Sequence, residues 1–432
     1  MTPPLDRTGP TRTRAGRRPA LVLLLAAGAA ACGVGLAGPA QAGPRRAGPT
    51  VTVVEVPATR WAKTERLEVD HPLLGQERFI PLVEHQDEEI VAAFGGDRSP
   101  PSSHVLLHYA HGWEQGTDPV PVLLVHGAGV TANHCWADHP IEQPYEGLAA
   151  RLVRSGRKTF ALTFAHPHGC NLKQAEALAA VIARVLEVTG APRLDLVAWS
   201  KGGVSTRAYL SDAGPEGSTR FRGDVRRYVM LGTPNGGIDL SFAYPNLNYW
   251  ILEHETPAPL SFLRCMYYGL WKDTSEQSIY GQSAFPGQAQ MVARWDQRYG
   301  RTRAKGQLDV DATYDGTKGT VTESLGIARA IDDGGRLIER LEKRGLDPSL
   351  EVSILAGTHF WIMNMVGERR GPSDGLILVG TVHHTDGLLR RGARLLRKDL
   401  RAVNHFQLAY EPRANDWVVD ALSEPSPPAR GR

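Results

Sequence analysis

Leu194-Asp195-Leu196-Val197-Ala198-Trp199-Ser200-Lys201-Gly202-Gly203 is the stretch that decides how this chain folds. Leu194 to Trp199 is apolar except for Asp195, which reads as a strand buried on both faces. Lys201 to Ser211 reads as a helix, so Ser200 occupies the turn between strand and helix. A residue on so sharp a turn needs small neighbours, and Ala198, Gly202 and Gly203 provide them. The turn would lift the serine hydroxyl above the sheet edge. It would also aim the next backbone N–H groups and the helix N-terminus at a negative oxygen formed there. Ser200 is therefore the candidate nucleophile. The plainer alternative is a serine capping a helix after a strand.

The same rhythm continues on both sides. Pro121 to Val125 reads as a buried strand, Tyr145 to Gly156 as a helix, and Lys158 to Phe164 as a strand. Asn171 to Thr189 spaces Ala175, Leu178, Ala179, Ile182, Val185 and Leu186 along one helical face, and Val225 to Leu231 is again a strand. Alternation of this kind predicts an α/β fold, a mostly parallel sheet covered by helices on both faces. Val51 to Val56 reads as a strand, while the runs from there to Trp113 have no firm placement. Ile238 to Val321 loses the period and is dense in aromatics: Phe242, Tyr244, Tyr249, Trp250, Phe262, Tyr267, Tyr268, Trp271, Tyr280 and Phe285. A stretch this long is better read as an inserted subdomain than as a structureless loop. The rhythm resumes with a helix from Ser324 to Arg344 and a strand from Leu350 to Leu355. A short strand at Leu400 to Val403 and a closing helix near Asp416 to Leu422 follow, with frayed residues from Glu424 to Arg432. The expected organisation is a leader (1–42), an N-terminal segment with strands (43–118), the first part of the core (119–237), an insertion (238–321) and the rest of the core (322–432).

The 432 residues carry 42% apolar and 22% charged side chains, enough for one large core, and a net charge of +3. Basic residues are scattered among acids, which gives no support for nucleic-acid binding. Arg12, Arg14, Arg17 and Arg18 precede the apolar run Ala20 to Ala31, and Ala40-Gln41-Ala42 offers a small-x-small cleavage site. The run is short and rich in Ala and Gly, so an export signal is favoured over a membrane anchor, and a secreted protein with no stable transmembrane segment after cleavage is expected. Arg17-Arg18 raises a twin-arginine route and Cys32 a lipoprotein one; both fit poorly. Cys135, Cys170 and Cys265 would remain after cleavage. Cys135 and Cys170 both follow predicted strands at one sheet edge, which makes a disulfide between them plausible in an oxidising compartment. No Cys/His cluster suggests a structural metal and no cofactor is expected; a calcium site is left unassigned.

Val122-Leu123-Leu124-Val125-His126-Gly127-Ala128-Gly129 is a buried strand ending beside the elbow. The backbone N–H groups of Ala128 and Lys201 are the candidate oxyanion donors. His126 reads as structural and the Lys201 side chain as solvated. An acid and then a histidine should follow the serine in chain order. Asp374, in Gly371-Pro372-Ser373-Asp374-Gly375, lies in a turn beyond a late strand and is the candidate acid, although Asp-Gly is also a plain turn signal. Asp332 and Asp333 are rivals. Among fifteen histidines, His405 follows the last strand and is the candidate base, with His383 and His384 as rivals.

Four motifs carry a resemblance: Val125 to Gly129, Ala198 to Gly203, Leu231-Gly232-Thr233-Pro234-Asn235-Gly236-Gly237, and Ser373-Asp374-Gly375 with Asn404-His405. Together they resemble the bacterial lipases and esterases of the α/β-hydrolase superfamily, in the branch with Ala at the first elbow position. The resemblance implies hydrolysis of acyl esters, triacylglycerols among them, with the aromatic insertion standing where such enzymes often carry a lid. Trp199 and Lys201 depart from the His and the Met or Leu often seen beside this serine. The expectation is a lipase or carboxylesterase acting on an acyl-ester substrate, including one at a lipid-water interface. A polyester depolymerase or an acyltransferase of the same chemistry and a catalytically silent binding protein are the alternatives.

Overall fold

The computed structural model describes residues 50–426, other than 82, 138–144, 245–279, 282, 303–308, 320–323, 363, 364 and 367. The leader, Cys32, Cys265 and the aromatics Tyr249, Trp250, Phe262, Tyr267, Tyr268 and Trp271 lie outside the described residues.

The strands are β1 (Thr50–Val56), β2 (Lys63–Asp70), β3 (His104–Tyr109), β4 (Val122–Val125), β5 (Thr159–Phe164), β6 (Leu194–Trp199), β7 (Val225–Leu231), β8 (Glu351–Gly357), β9 (Trp361–Ile362), β10 (Met365–Val366) and β11 (Arg394–Arg401). Nine form one sheet in the order β1-β2-β3-β5-β4-β6-β7-β8-β11, while β9 and β10 pair as a separate hairpin. β5, β4, β6, β7, β8 and β11 run parallel, and β1, β2 and β3 add an antiparallel edge.

β4, β5 and β6 are buried at every position, so their alternation shows only in which face each side chain enters. Leu123, Val125, Phe160, Leu162, Leu196 and Ala198 pack on one face with the helix Asn171–Thr189. Val122, Leu124, Ala161, Val197 and Trp199 pack on the other with the helices Leu148–Arg154 and Pro412–Ser423. Burial of each large apolar side chain contributes about 1.5–3 kcal/mol, which makes this two-faced core the main driving force for the fold.

Several expectations need correcting. The single helix from Ser324 to Arg344 is two, Gly326–Asp333 and Leu337–Arg344, separated at Gly334-Gly335, with Arg336 at φ 51°. The strand placed at Leu400 to Val403 is β11, whose positions are only half-buried or exposed because it lies at the sheet edge. The disulfide is absent: among the described residues Cys135 and Cys170 are free thiols. Cys135 packs with Trp136 and Leu124 on one face of the sheet, whereas Cys170 precedes the helix that covers the opposite face. Within 238–321, Phe242, Tyr244, Tyr280 and Phe285 are buried in a cluster with Ile80, Ile327 and Ala330.

Non-reduced peptide mapping should therefore yield no Cys135–Cys170 cross-link. Cys135, whose thiol pKa is pushed up by burial, should resist alkylation until the protein is unfolded. A recovered cross-linked peptide would overturn the two-face packing.

Burial also pushes down the pKa of several histidines, among them His85 to about 4, His108, His126 and His166 to about 3, and His168 well below its usual value. His108 sits between the hydroxyls of Thr64 and Thr163, and His126 Nε2 accepts the Phe164 N–H. Unfolded, each titrates near 6.5, so from there down to about pH 4 the unfolded chain binds more protons and stability falls with pH. Each can contribute about 1.4 kcal/mol per pH unit. The free energy from urea unfolding should drop by at least roughly 4 kcal/mol between pH 6 and pH 5. His108→Gln should make that slope shallower by about 1 kcal/mol per pH unit, and a flat profile in this window would contradict neutral burial.

Candidate active site

Ser200 has φ 54° and ψ −129°, a left-handed conformation that a non-glycine residue adopts only where its surroundings enforce it. β6 enters the turn and the helix Lys201–Leu210 leaves it, and the Ser200 N–H donates to Leu231 O at 2.9 Å. The helix starts directly against the end of β4. A Cβ on Gly202 would stand 2.2 Å from His126 O, so no larger residue fits there.

The turn brings together three side chains from distant parts of the chain. Ser200 Oγ lies 2.8 Å from His405 Nε2, and His405 Nδ1 lies 2.7 Å from Asp374 Oδ2. His405 follows β11, and Asp374 follows β8 and the β9–β10 hairpin. Asp374 is fully buried, and its Oδ1 accepts the N–H groups of Leu376 (3.1 Å) and Ile377 (2.8 Å). One carboxylate oxygen is thus committed to its own loop, leaving the other for the imidazole. His405 N–H donates to Asp374 O at 2.8 Å, and Trp199 Nε1–H donates to His405 O at 2.9 Å. Gly232, from the Leu-Gly-Thr-Pro run, has φ +55°, and a Cβ there would lie 3.2 Å from both Asp374 Oδ2 and His405 Cε1.

Ala128 lines the same pocket as Ser200 and His405, and Lys201 opens the helix after the serine. The Lys201 side chain is buried, correcting the solvated reading: every residue from Lys201 to Leu210 is buried, so this helix has no solvent face. Its ammonium donates to Gln174 Oε1, which also accepts from Ser205 Oγ. His126 is structural, with Nδ1 against Gly127 O and Nε2 accepting from Phe164 N–H. The rivals lie elsewhere. Asp332 and Asp333 pair with Arg336 and Arg329, His383 bonds Asp399 O, and His384 pairs with Glu342.

Two features escaped the sequence reading. Arg370, buried and held firmly charged by its carboxylate neighbours, pairs with Asp239 and Glu368, themselves buried. Tyr314 donates to Asp239 and Tyr244 to Glu368, which joins the insertion to the segment leading into Asp374. The nearest sequence signal was the Leu231–Gly237 motif, which stops two residues short of Asp239. The second feature is a small pocket, about 50 Å³ and open to solvent, lined by apolar side chains including Pro234, Ile238, Met291, Leu376 and Phe406. Gln288 is the exception among its lining side chains beyond Ser200 and His405. Among the described residues, no cluster of three or more His, Cys, Asp or Glu side chains could hold a metal ion, and no helix is long and apolar enough to cross a membrane.

A mostly parallel sheet flanked by helices, with a serine on a strained strand-to-helix turn, defines the α/β-hydrolase fold. Residues 102–251 match a domain family of unknown function, DUF7379. Similar solved structures include lipase BlEst2 of Bacillus licheniformis in its mature form, at 16% identity and TM-score 0.38, covering 72% of this chain and 94% of that one. Carboxylesterase CesB of Bacillus subtilis is similar at 12% identity and TM-score 0.34, covering 86% and 92%. An α/β-hydrolase fold protein of Chitinophaga pinensis is similar at 12% identity and TM-score 0.36, covering 74% and 94%.

Backbone strain of the kind seen at Ser200 costs on the order of 1–3 kcal/mol. Ser200→Gly should therefore be about 1 kcal/mol more stable than Ser200→Ala, since both lose the hydroxyl and only glycine relaxes the turn. Paired denaturant titrations test this, and equal stabilities would show that the turn stores no strain.

Proposed function

We propose that the protein is a secreted serine hydrolase of carboxylic esters. Ser200 is the nucleophile, His405 the general base and then acid, and Asp374 the group that orients the imidazole. The observation that carries this reading is the unbroken hydrogen-bonded chain from Ser200 Oγ through His405 to Asp374, at the wall of an apolar pocket.

Nε2 takes the Ser200 proton as Oγ attacks the ester carbonyl, and the buried Asp374 carboxylate stabilises the imidazolium. The carbonyl oxygen, now negative, is received by the backbone N–H groups of Ala128 and Lys201, each worth about 2.7–4 kcal/mol in the transition state. His405 returns the proton to the departing alkoxide. Water then attacks the acyl-enzyme by the same route, releasing the acid and restoring Ser200.

The apolar lining suits an acyl or alkyl group, and an intact three-residue chain weighs against a silent binding protein. Trp361 is 45% exposed, and its carbonyl accepts from Asn404 Nδ2, one residue before His405. An exposed indole beside the site supports contact with a lipid-water interface, and the insertion at 238–321 is proposed to cap the pocket. Secretion rests on the basic-then-apolar leader and its small-residue cleavage site.

Purified protein should hydrolyse short 4-nitrophenyl esters and be labelled at Ser200 by a fluorophosphonate. Ser200→Ala should lose the labelling and about 10⁴-fold or more in kcat, and Asp374→Asn roughly 10⁴-fold with little change in KM. Undiminished activity of Ser200→Ala would overturn the assignment.

A further inference from the structure

We infer that Gln288 makes the site selective for esters that carry a hydroxyl group on the portion held in the pocket. This deepens the proposed function and rests on it.

Gln288 is 8% exposed and interrupts an otherwise apolar wall, where a hydrocarbon side chain would serve a plain acyl chain better. Its Nε2–H donates to Nδ1 of His168 at 3.2 Å. His168 is itself buried and kept neutral by that burial, so its ring nitrogen can accept. With the amide nitrogen committed, Oε1 has no partner among the described residues, yet it is not among the polar atoms sealed inside the protein. The side chain lines the pocket, and we take Oε1 as its accessible acceptor there.

The segment carrying this oxygen is pinned. Gly287 N–H donates to His168 O at 3.1 Å, Asn171 Nδ2–H donates to Gly287 O at 2.9 Å, and Asn171 N–H donates to Gln290 Oε1 at 2.7 Å. The acceptor is therefore preorganised rather than free to turn toward water when ligand arrives.

An acceptor in this position asks for a donor. A plain alkyl or acyl chain would strip its water and offer nothing in return, a loss that buried polar groups turn into discrimination. A hydroxyl replaces the water's hydrogen bond while the rest of the ligand keeps the apolar contacts. A cationic donor fits poorly, because no carboxylate lines the pocket among the described residues.

The test compares kcat/KM for matched pairs, ethyl butyrate with ethyl 3-hydroxybutyrate and ethyl hexanoate with ethyl 6-hydroxyhexanoate. The parent should prefer the hydroxyl member of at least one pair. Gln288→Met, similar in size but without an acceptor, should reduce that preference about tenfold or more, chiefly through KM. Gln288→Glu keeps an oxygen acceptor and should retain the preference. Loss of preference in folded Gln288→Glu, or unchanged ratios in Gln288→Met, would overturn the inference. If the parent hydrolyses no ester, the proposed function fails separately. Calorimetric binding of the same esters to Ser200→Ala, with and without Gln288→Met, then decides the role of Gln288. A hydroxyl preference removed by the second substitution supports it, and equal affinities overturn it.

Discussion

At Ser200 a strand becomes a helix within a single residue, and the backbone achieves this only by entering the left-handed region at φ 54°. Nothing local favours that conformation, so the surroundings must hold it. β6 is flanked on both sides by parallel strands, the helix that follows is buried at every residue, and the Ser200 N–H is tied to the end of β7. The price in side-chain freedom is visible nearby. Ala198 fits between β4 and β7, Gly202 allows the helix to touch His126 O, and Lys201 must bury its ammonium against Gln174.

The same turn dictates how the other two groups are held. Trp199, the last residue of β6, sends its indole N–H to the carbonyl of His405, so the strand that presents the serine also fixes the backbone of the histidine. The histidine's own N–H then grips the backbone of Asp374, and the side chains repeat the connection through Nδ1. Backbone and side-chain bonds run in parallel between the same two residues, which limits the freedom of either to drift. Trp199, next to the serine, thus has a physical role in this chain.

Legibility followed local constraint. The helix Asn171–Thr189 and the strands β6 and β7 were readable because their apolar spacing is set by burial in the centre of the sheet. Ser200, Asp374 and His405 could be ordered along the chain because each lies in a connection that follows a strand of the sheet. β2 was not readable: Lys63-Thr64-Glu65-Arg66-Leu67-Glu68-Val69-Asp70 looks like surface, yet Glu65 is buried because Arg184, Lys63 and Tyr109 surround it. β11 was misplaced for the converse reason, since an edge strand can be rich in Arg and Lys without a buried face to mark it. The break at Gly334-Gly335 competed with a helical pattern that continued beyond it, and the pattern was followed.

The Arg370 knot was illegible because its members only meet in three dimensions, and its placement bears on how Asp374 is held. Asp374 must be exact in position to meet both His405 and the N–H groups of its own loop. Buried ion pairs add little net stability over apolar packing, because desolvation opposes the Coulombic gain. They do penalise every arrangement in which one partner is missing. Arg370 is satisfied only when Asp239 from the insertion and Glu368 from the acid loop arrive together, with Tyr314 and Tyr244 closing the shell. Ser373 Oγ donates to Glu368 O, and Glu368 N–H donates to Gly375 O, which carries that requirement to the residues on either side of Asp374. The segment carrying Asp239 is thereby coupled to the Asp374 carboxylate that meets His405, and the strained serine and the ordered carboxylate become parts of one packed unit.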